Sequence, residues 1–550
     1  MTTFSLRLIA LLLSPAVFAH PQQSPQTTSA MPPAPAVSPQ SSQTTPATPP
    51  TPAVSPEAMQ DLGTRVATRI NTIRQQDPRA QHATWGISVV DLATGASLYA
   101  ENADKLLQPA SNTKLFTTAT TLALVGADYK FSTTIEAAGP PDSSGRVSGD
   151  LILVGRGDPN LSGRILPYAK KTERVTQHAR MLDELVDQVA AAGVRVIDGD
   201  IVGDDSYFVY ERYGEGWAQD DLMWDYGAPV SALTVNDNVV FASLKPADRV
   251  GQRALLTLDP YTSYYTVRNL VTTTARGIAR NIGVLREPGS LELTFWGTIP
   301  LGDAGDDEAL AIEEPATANA QLLRTLLQQR GILVRGKARA VHSQSWQYPP
   351  PLPHQPFVVP PASSLSRIVL AQHHSAPLLE DLVVINKVSQ NLHVEMMLRL
   401  LGKLKGVSGS LSGGLDVESK FLTERVQIDA AEFSLYDGSG LSRSDLATPH
   451  AFTQLLQYAY GQPWATEFRS TLPIAAEDGS LSTRFKGTFA ADHLEAKTGQ
   501  LGEVNSLSGY AITKGGHNIA FSILINHHTL GNTKAKQMID DIVNAVLEED

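Results

Sequence analysis

Pro109-Ala110-Ser111-Asn112-Thr113-Lys114 runs into the apolar stretch Leu115 to Gly126, LFTTATTLALVG. A Ser and a Lys three residues apart at the start of a helix share one face, so the amine can reach the hydroxyl. A serine hydroxyl holds its proton tightly and needs a neighbouring base as it attacks a carbonyl. A lysine serves as that base only when neutral, which requires burial or a second cation close by. The same spacing also arises at an ordinary helix start with an exposed Lys, so its meaning depends on what else the chain supplies.

The 550 residues exceed what one hydrophobic core organises, and two or three domains are expected. With 42% hydrophobic and 18% charged residues, the composition is that of a soluble globular protein. A formal charge of -12, with no basic run beyond pairs such as Lys170-Lys171, argues against a nucleic-acid or anionic-membrane partner. Residues 1–19 combine Arg7, the apolar stretch Leu8 to Phe18 and the small residues Val17 and Ala19 where a signal peptidase reads. That pattern predicts a cleaved secretory signal and a secreted, periplasmic protein. No other stretch reaches transmembrane length. The lack of cysteine excludes a disulfide framework and a thiolate metal site. Residues 20–57 are dominated by Pro, Gln, Ser, Thr and Ala and read as a disordered or extended linker, open to contact with the wall or another protein.

Ala58 to Gln75 carries apolar residues at helical spacing, and Trp85 to Tyr99 alternates around the turn Asp91 to Gly95 as a hairpin does. From Phe131 to His342 short strand-like runs dominate, interrupted by two amphipathic helices, Thr176 to Ala192 and Thr317 to Arg330, each followed by a Gly. After a Pro-rich crossing, Tyr348 to Pro361, the region Leu365 to Leu404 reads as mostly helical. Ala430 to Tyr436 reads as a strand leading to the turn Asp437 to Gly440. The chain ends as strands Leu494 to Lys497, Ser506 to Thr513 and Asn518 to Asn526, then a helix from Thr533 to Leu547. The helix-and-hairpin opening complements the hairpin-and-helix ending. An α+β fold is expected, with the two ends paired in one sheet and the middle looped out.

Two further triplets bear on Ser111. Ser389-Gln390-Asn391 lies in the helical context Asn386 to Leu401, and Lys497-Thr498-Gly499 ends a strand. Ser-x-x-Lys, Ser-x-Asn and Lys-Thr/Ser-Gly each occur once, in that order, and the trio is that of penicillin-interacting serine enzymes. On these residues the sequence resembles the class C low-molecular-mass penicillin-binding proteins, the D-Ala-D-Ala carboxypeptidase/endopeptidase family of the penicillin-binding protein 4 type, from Ala58 to the C-terminus. Other stretches look like that family's own: Gly155 to Pro159 (GRGDP), Gly203 to Ser206 (GDDS), Tyr226 to Ala232 (YGAPVSA), Asn386-Lys387, Asp437 to Ser442 (DGSGLS) and Leu507 to Tyr510 (LSGY). The long insertion between Ser111 and Ser389 is similar too. The resemblance implies a penicilloyl-serine transferase (β-lactamase-like) domain, an antiparallel sheet flanked by helices, over 58–131 and 346–550. It implies two nested insertion domains, α/β and β-rich, over 132–240 with 312–345 and over 241–311.

The implied activity is that of a serine D-Ala-D-Ala carboxypeptidase or DD-endopeptidase on peptidoglycan stem peptides, inhibited by β-lactam antibiotics through the same serine and using no cofactor. Ser111 would form the acyl-enzyme. Lys114 would be its base, kept neutral by desolvation and by the charge of Lys497, although which group takes the proton is disputed for related enzymes. Ser389 would relay a proton to the leaving amine, and Asn391 would orient Lys114 and the substrate amide. Lys497 and Thr498 would meet the terminal carboxylate, and Gly499 would let the substrate strand approach. The backbone N–H groups of Ser111 and Gln500 would form the oxyanion hole, worth ~3 kcal/mol per donor; Gln500 stands where a Thr is common. The turn Asp437 to Gly440 is either a plain Gly turn or part of the cleft.

His373-His374 and His527-His528 read as solvated residues, and without His-Glu-x-x-His no metal is expected. No Gly-x-Ser-x-Gly marks an α/β-hydrolase. A β-lactamase is the nearest alternative, but neither Glu-x-x-x-Asn nor Tyr-x-Asn occurs. A non-catalytic wall-binding protein on the same fold is opposed by the intact trio.

Overall fold

The structure, a computed structural model, describes residues 56–169, 179–260, 262–344 and 367–549, with side chains from residue 63 on. The secretory signal, the linker up to residue 55, the Pro-rich crossing and the first residues of the helix expected from Thr176 lie outside the described residues.

The sheet that carries the site has five antiparallel strands in the order Ser97–Glu101, Thr84–Asp91, Asn518–Asn526, Val504–Ile512, Leu494–Leu501. The two ends of the chain meet where Thr84 to Asp91 pairs with Asn526 to Ile519, as their complementarity predicts. Side chains alternate across this sheet. Ile519, Phe521, Ile523 and Ile525 join the core beneath helices Pro56–Gln75 and Asn532–Glu549. Ala520 and Leu524 join the opposite core, with Phe116, Leu392, Met396 and Phe452. Phe116 stacks on Phe452 at 4.6 Å between ring centroids, a contact worth ~1 kcal/mol beyond its buried area.

The helix Lys114–Leu124 is buried from Lys114 to Leu122, which is why its apolar run has no polar face. Its threonines are sealed without loss, because Thr118, Thr120 and Thr121 donate to the carbonyls of Lys114, Phe116 and Thr117 at 2.7, 2.8 and 2.7 Å.

The middle of the chain builds a second five-stranded sheet, ordered Ala338–Ser343, Ile201–Val209, Leu151–Val154, Ser132–Ala137, Ile368–His374. Its core includes residues of helices Arg180–Ala191 and Pro315–Gln329, which stop before Gly193 and Gly331 in left-handed backbone (φ 88 and 77). Between Val239 and Ala311 lie a three-stranded and a four-stranded sheet around a further core containing Val271, Leu293 and Phe295. Among the described residues no helix is long and apolar enough to cross a membrane.

Three local expectations give way to tertiary pairing. Ile368–His374 is a strand beside Ser132–Ala137, and helix begins only at Leu378; an apolar run this short suits either state until a sheet edge claims it. Ala430 to Tyr436 is a 3-10 turn, Ala430–Glu432, followed by two paired residues, because its partner Leu446–Ala447 is itself only two residues long. Ser389 is not inside a helix. It occupies the break between helices Leu378–Lys387 and Asn391–Lys405, at φ 64, and the Gln390 side chain caps the new helix by accepting from Leu392 N at 2.9 Å.

Candidate active site

Ser111 sits in a 3-10 turn, Ala110–Thr113, at the head of the buried helix. The preceding Ala110 has φ 48, a backbone costing a non-glycine residue ~1–3 kcal/mol, so its surroundings must impose it. Two glycines let those surroundings close in. A Cβ on Gly440 (φ 76) would lie 1.9 Å from Ala110 O, and a Cβ on Gly499 would lie 2.8 Å from Pro109 O and 3.1 Å from Ser111 N. Gly499, expected to let the substrate strand approach, lets its own strand close on the nucleophile turn. Ser506 Oγ donates to Pro109 O (2.7 Å) from the neighbouring strand. The Asn112 amide, in the orientation that pairs a donor with each acceptor, donates to Lys497 O (2.9 Å) and accepts from Ser508 Oγ (2.6 Å).

Lys114 is fully buried, with three oxygens around its amine: Ser111 Oγ at 2.8 Å, Asn391 Oδ1 at 2.7 Å and Ser439 O at 2.6 Å. An ammonium donates to all three. A neutral amine has two N–H groups and one lone pair. The Ser439 carbonyl accepts only, and so does Asn391 Oδ1, because Asn391 Nδ2 is turned away to donate to Tyr226 O (2.8 Å). Those two acceptors take the two N–H groups, and the lone pair is left facing the Ser111 hydroxyl. Burial brings the Lys114 amine down to about 7, against the opposing pull of Asp437, Glu395 and Asp445. Lys497, expected to help keep Lys114 neutral, is itself held well below the ordinary lysine range, by burial first and by Lys114 second.

Lys497 is also fully buried and donates to Ser389 Oγ and Thr498 O, both at 2.8 Å. Thr498 Oγ1 donates to Ser480 Oγ (2.7 Å). The strand Leu494–Leu501 is the outer one of its sheet. On its outer side Ala475 N donates to Leu494 O (3.0 Å) and Ala496 N to Pro473 O (2.9 Å). That pairing ends at Ala496, immediately before Lys497, Thr498, Gly499 and Gln500; the Gln500 side chain is exposed. An open strand edge presents backbone groups to which an extended peptide can add.

Glu395, Asp445 and Trp217 were not singled out from sequence, although the turn Asp437 to Gly440 that they meet was. Glu395 lies four residues beyond Asn391 on the same helix, and its Oε1 accepts from Gly438 N (2.8 Å) and Ser439 N (2.9 Å), which aims the Ser439 carbonyl at Lys114. Asp437 accepts from the backbone N–H groups of Ser439 (3.0 Å), Gly440 (2.7 Å) and Ser442 (2.7 Å) and from Trp217 Nε1 (2.8 Å). The Asp437 turn is therefore part of the site's wall. Burial raises the Glu395 carboxyl, and burial with the adjacent Asp437 pushes Asp445 well above the usual carboxylate range. A Glu-x-x-x-Arg pair, Glu395 and Arg399, inside the otherwise apolar VEMMLRLL was the available signal, since charge at that density of apolar neighbours is buried and paired. Away from the cleft, Asp205, Glu314 and His342 bring ligand-type atoms within 4.8 Å of one another. Their bonds are already used: His342 Nδ1 lies 2.7 Å from Asp205, and Glu314 caps helix Pro315–Gln329.

The fold has known counterparts. The chain is 35% identical over 465 residues to a D-alanyl-D-alanine carboxypeptidase of Actinomadura sp. (strain R39), covering 82% of this chain and 80% of that one. It is 24% identical to the D-alanyl-D-alanine carboxypeptidase DacB of Haemophilus influenzae, over 79% of this chain and 84% of that protein. The crystal structure of penicillin-binding protein 4 from Haemophilus influenzae superposes with a TM-score of 0.71 at 21% identity, covering 87% of this chain and 99% of that one, which establishes the shared fold. The sequence pattern of one family matches residues 66–352 and 357–548, almost the whole described chain: the protein belongs to the D-Ala-D-Ala carboxypeptidase 3 (S13) family.

Proposed function

We propose that this serine D-Ala-D-Ala carboxypeptidase/endopeptidase works through an acyl-Ser111 intermediate with Lys114 as the base. The observation that carries the reading is Lys114 Nζ at 2.8 Å from Ser111 Oγ with two acceptors, Asn391 Oδ1 and Ser439 O, placed for its N–H groups, so that the neutral amine turns its lone pair to Ser111. Ser111 Oγ attacks the carbonyl of the penultimate D-Ala while its proton passes to Lys114 Nζ. The proton then reaches the leaving D-Ala nitrogen, with Ser389 as the relay and Lys497 holding its hydroxyl. Water releases the shortened peptide by the same route. The terminal carboxylate meets Lys497 and Thr498, and the strand edge that opens at Lys497 receives the peptide backbone. The N–H groups of Ser111 and Gln500 hold the developing oxyanion. β-Lactams acylate the same serine. Residues 1–19 would direct secretion to the periplasm, where peptidoglycan is reached. The insertions over 132–240 with 312–345 and over 241–311 are supported by their separate cores, the strand Ile368–His374 belonging with the first.

Intact-mass measurement after incubation with a penicillin tests the nucleophile. The wild type gains one adduct and Ser111→Ala gains none; equal labelling of both would remove Ser111 from the mechanism. Digestion of purified cross-linked and uncross-linked muropeptides measures endopeptidase against carboxypeptidase activity.

A further inference from the structure

Gln390 stands between two site residues, yet its side chain is bonded toward the insertion. Its Nε2 donates to Asp237 Oδ2 at 2.9 Å while its Oε1 caps the helix that Asn391 begins. Asp237 is the middle of three consecutive left-handed residues, Asn236, Asp237 and Asn238, at φ 53, 55 and 54. Non-glycine residues hold such a backbone only when their surroundings compel it. Here the compulsion is visible: Asn238 Nδ2 donates to Pro229 O (2.9 Å) and Asn236 Nδ2 to Val239 O (3.1 Å).

The Asp237 carboxylate also pairs with Arg164 and lies 3.0 Å from His393 Nε2. The other ring nitrogen, Nδ1, is 2.7 Å from Asp381 Oδ1, which accepts from Asn160 Nδ2 at 2.9 Å. Asn160, Arg164 and Asp237 come from the insertion; Asp381 and His393 come from the two helices that flank Ser389. Arg164, Asp237, Asp381 and His393 are 5%, 1%, 2% and 0% exposed. The two carboxylates overcome burial and raise His393 to about 9, so it is charged at neutral pH. Asp158, close enough to Asp381 and His393 to feel both, is pushed up to about 7 by burial. A buried ionic network adds little net stability over an apolar packing of the same volume. What it does supply is geometry.

We propose that Asp237 and Gln390 are positioning residues for the reaction: the insertion clamps the helix break and so sets the Ser389 hydroxyl against Lys497. The proposal rests on the role given to Ser389 above. Rotation of the break would carry Ser389 Oγ away from Lys497, and a displacement of this kind far from the bond being broken is enough to slow a reaction strongly.

Gln390→Ala is the primary test, because Gln390 is half-buried and its removal leaves Asp237 paired with Arg164 and His393. Acylation by a chromogenic β-lactam is followed by stopped flow, with final adduct stoichiometry by intact mass and the melting temperature alongside. Expected are full stoichiometry, a melting temperature lowered by no more than the loss of one helix cap, and acylation slowed about tenfold or more. In a Ser389→Ala background the same substitution slows acylation further by less than about twofold, since the two act through one group. Asp237→Asn, which keeps shape and loses charge, shows the same non-additivity. Equal slowing in both backgrounds, or none in either, overturns the proposal. A slow Ser389→Ala beside a normal Gln390→Ala overturns the clamp alone. A Ser389→Ala that acylates at the parent rate overturns both the clamp and the role of Ser389.

Discussion

Two lysine–serine pairs face the cleft, and they are built differently. Lys114 rises from a buried helix, has every hydrogen-bonding position of its amine assigned, and has Asp437, Glu395 and Asp445 behind it. Lys497 comes from a strand edge, donates to one hydroxyl and one carbonyl, and has its proton affinity set by burial and by the repulsion of Lys114. A base needs a lone pair aimed at the proton it removes. A receptor for an anion needs a donor whose counter-charge the protein has left out. An incoming carboxylate gives Lys497 the anion it lacks and raises its proton affinity, whereas Lys114 has its anions already. On the mechanism proposed above, the difference prepares one buried amine for proton transfer and the other for the substrate's terminal charge.

The largest expected effect separates the pairs outright. Lys114→Ala slows acylation by penicillin roughly 10²- to 10⁴-fold in stopped flow, the range of a lost general base. If Lys497→Ala were as damaging and Lys114→Ala mild, the roles would be exchanged. Lys497→Ala is expected to cost ~1.5–3 kcal/mol, about ten- to a hundredfold in kcat/KM, toward a substrate with a free carboxylate. The methyl ester of the same substrate, which has no anion to lose, should keep only the part of the loss that passes through the Ser389 hydroxyl held by Lys497.

The pH profile sharpens the comparison further. With Lys114 lowered to about 7, the neutral fraction rises about tenfold between pH 6 and 8, and acylation climbs with it. Because burial supplies the shift, the rising limb stays near pH 7 in Lys497→Ala; a limb displaced toward the ordinary lysine range would show that the charge of Lys497 supplies it. The sign carries over to stability. Between about pH 7 and the ordinary lysine range the unfolded chain binds the extra proton, so Lys114 makes the fold gain stability as pH rises through that window. The smallest effect belongs to Thr498→Val, which removes the bond to Ser480 Oγ. It also removes the hydroxyl proposed to meet the terminal carboxylate, and should raise KM about tenfold, the low end for a hydrogen bond to a charged group at ~1.5 kcal/mol, with kcat nearly unchanged.

The sequence by itself determined which residues could react and which ends of the chain pair. Ser111 and Lys114 are three positions apart on one helical start, and that spacing alone brings amine to hydroxyl. Alternation in Trp85 to Tyr99 and the apolar run of Asn518 to Asn526 read as strands, and the complementary ends pair. Local pattern could not reveal what depends on partners far along the chain. Ile368–His374 reads equally well as helix until the edge of Ser132–Ala137 is present, and the break at Ser389 lies beside Gln390 and His393, which are bonded to Asp237, 153 and 156 residues away. The same holds for the chemistry. A lysine's charge state is a property of its surroundings, and those of Lys114 are Asn391, Ser439, Asp437 and Glu395, assembled from segments some three hundred positions downstream. Tertiary structure alone decided that this amine is neutral enough to take a proton, because only folding removes the water that would keep it charged.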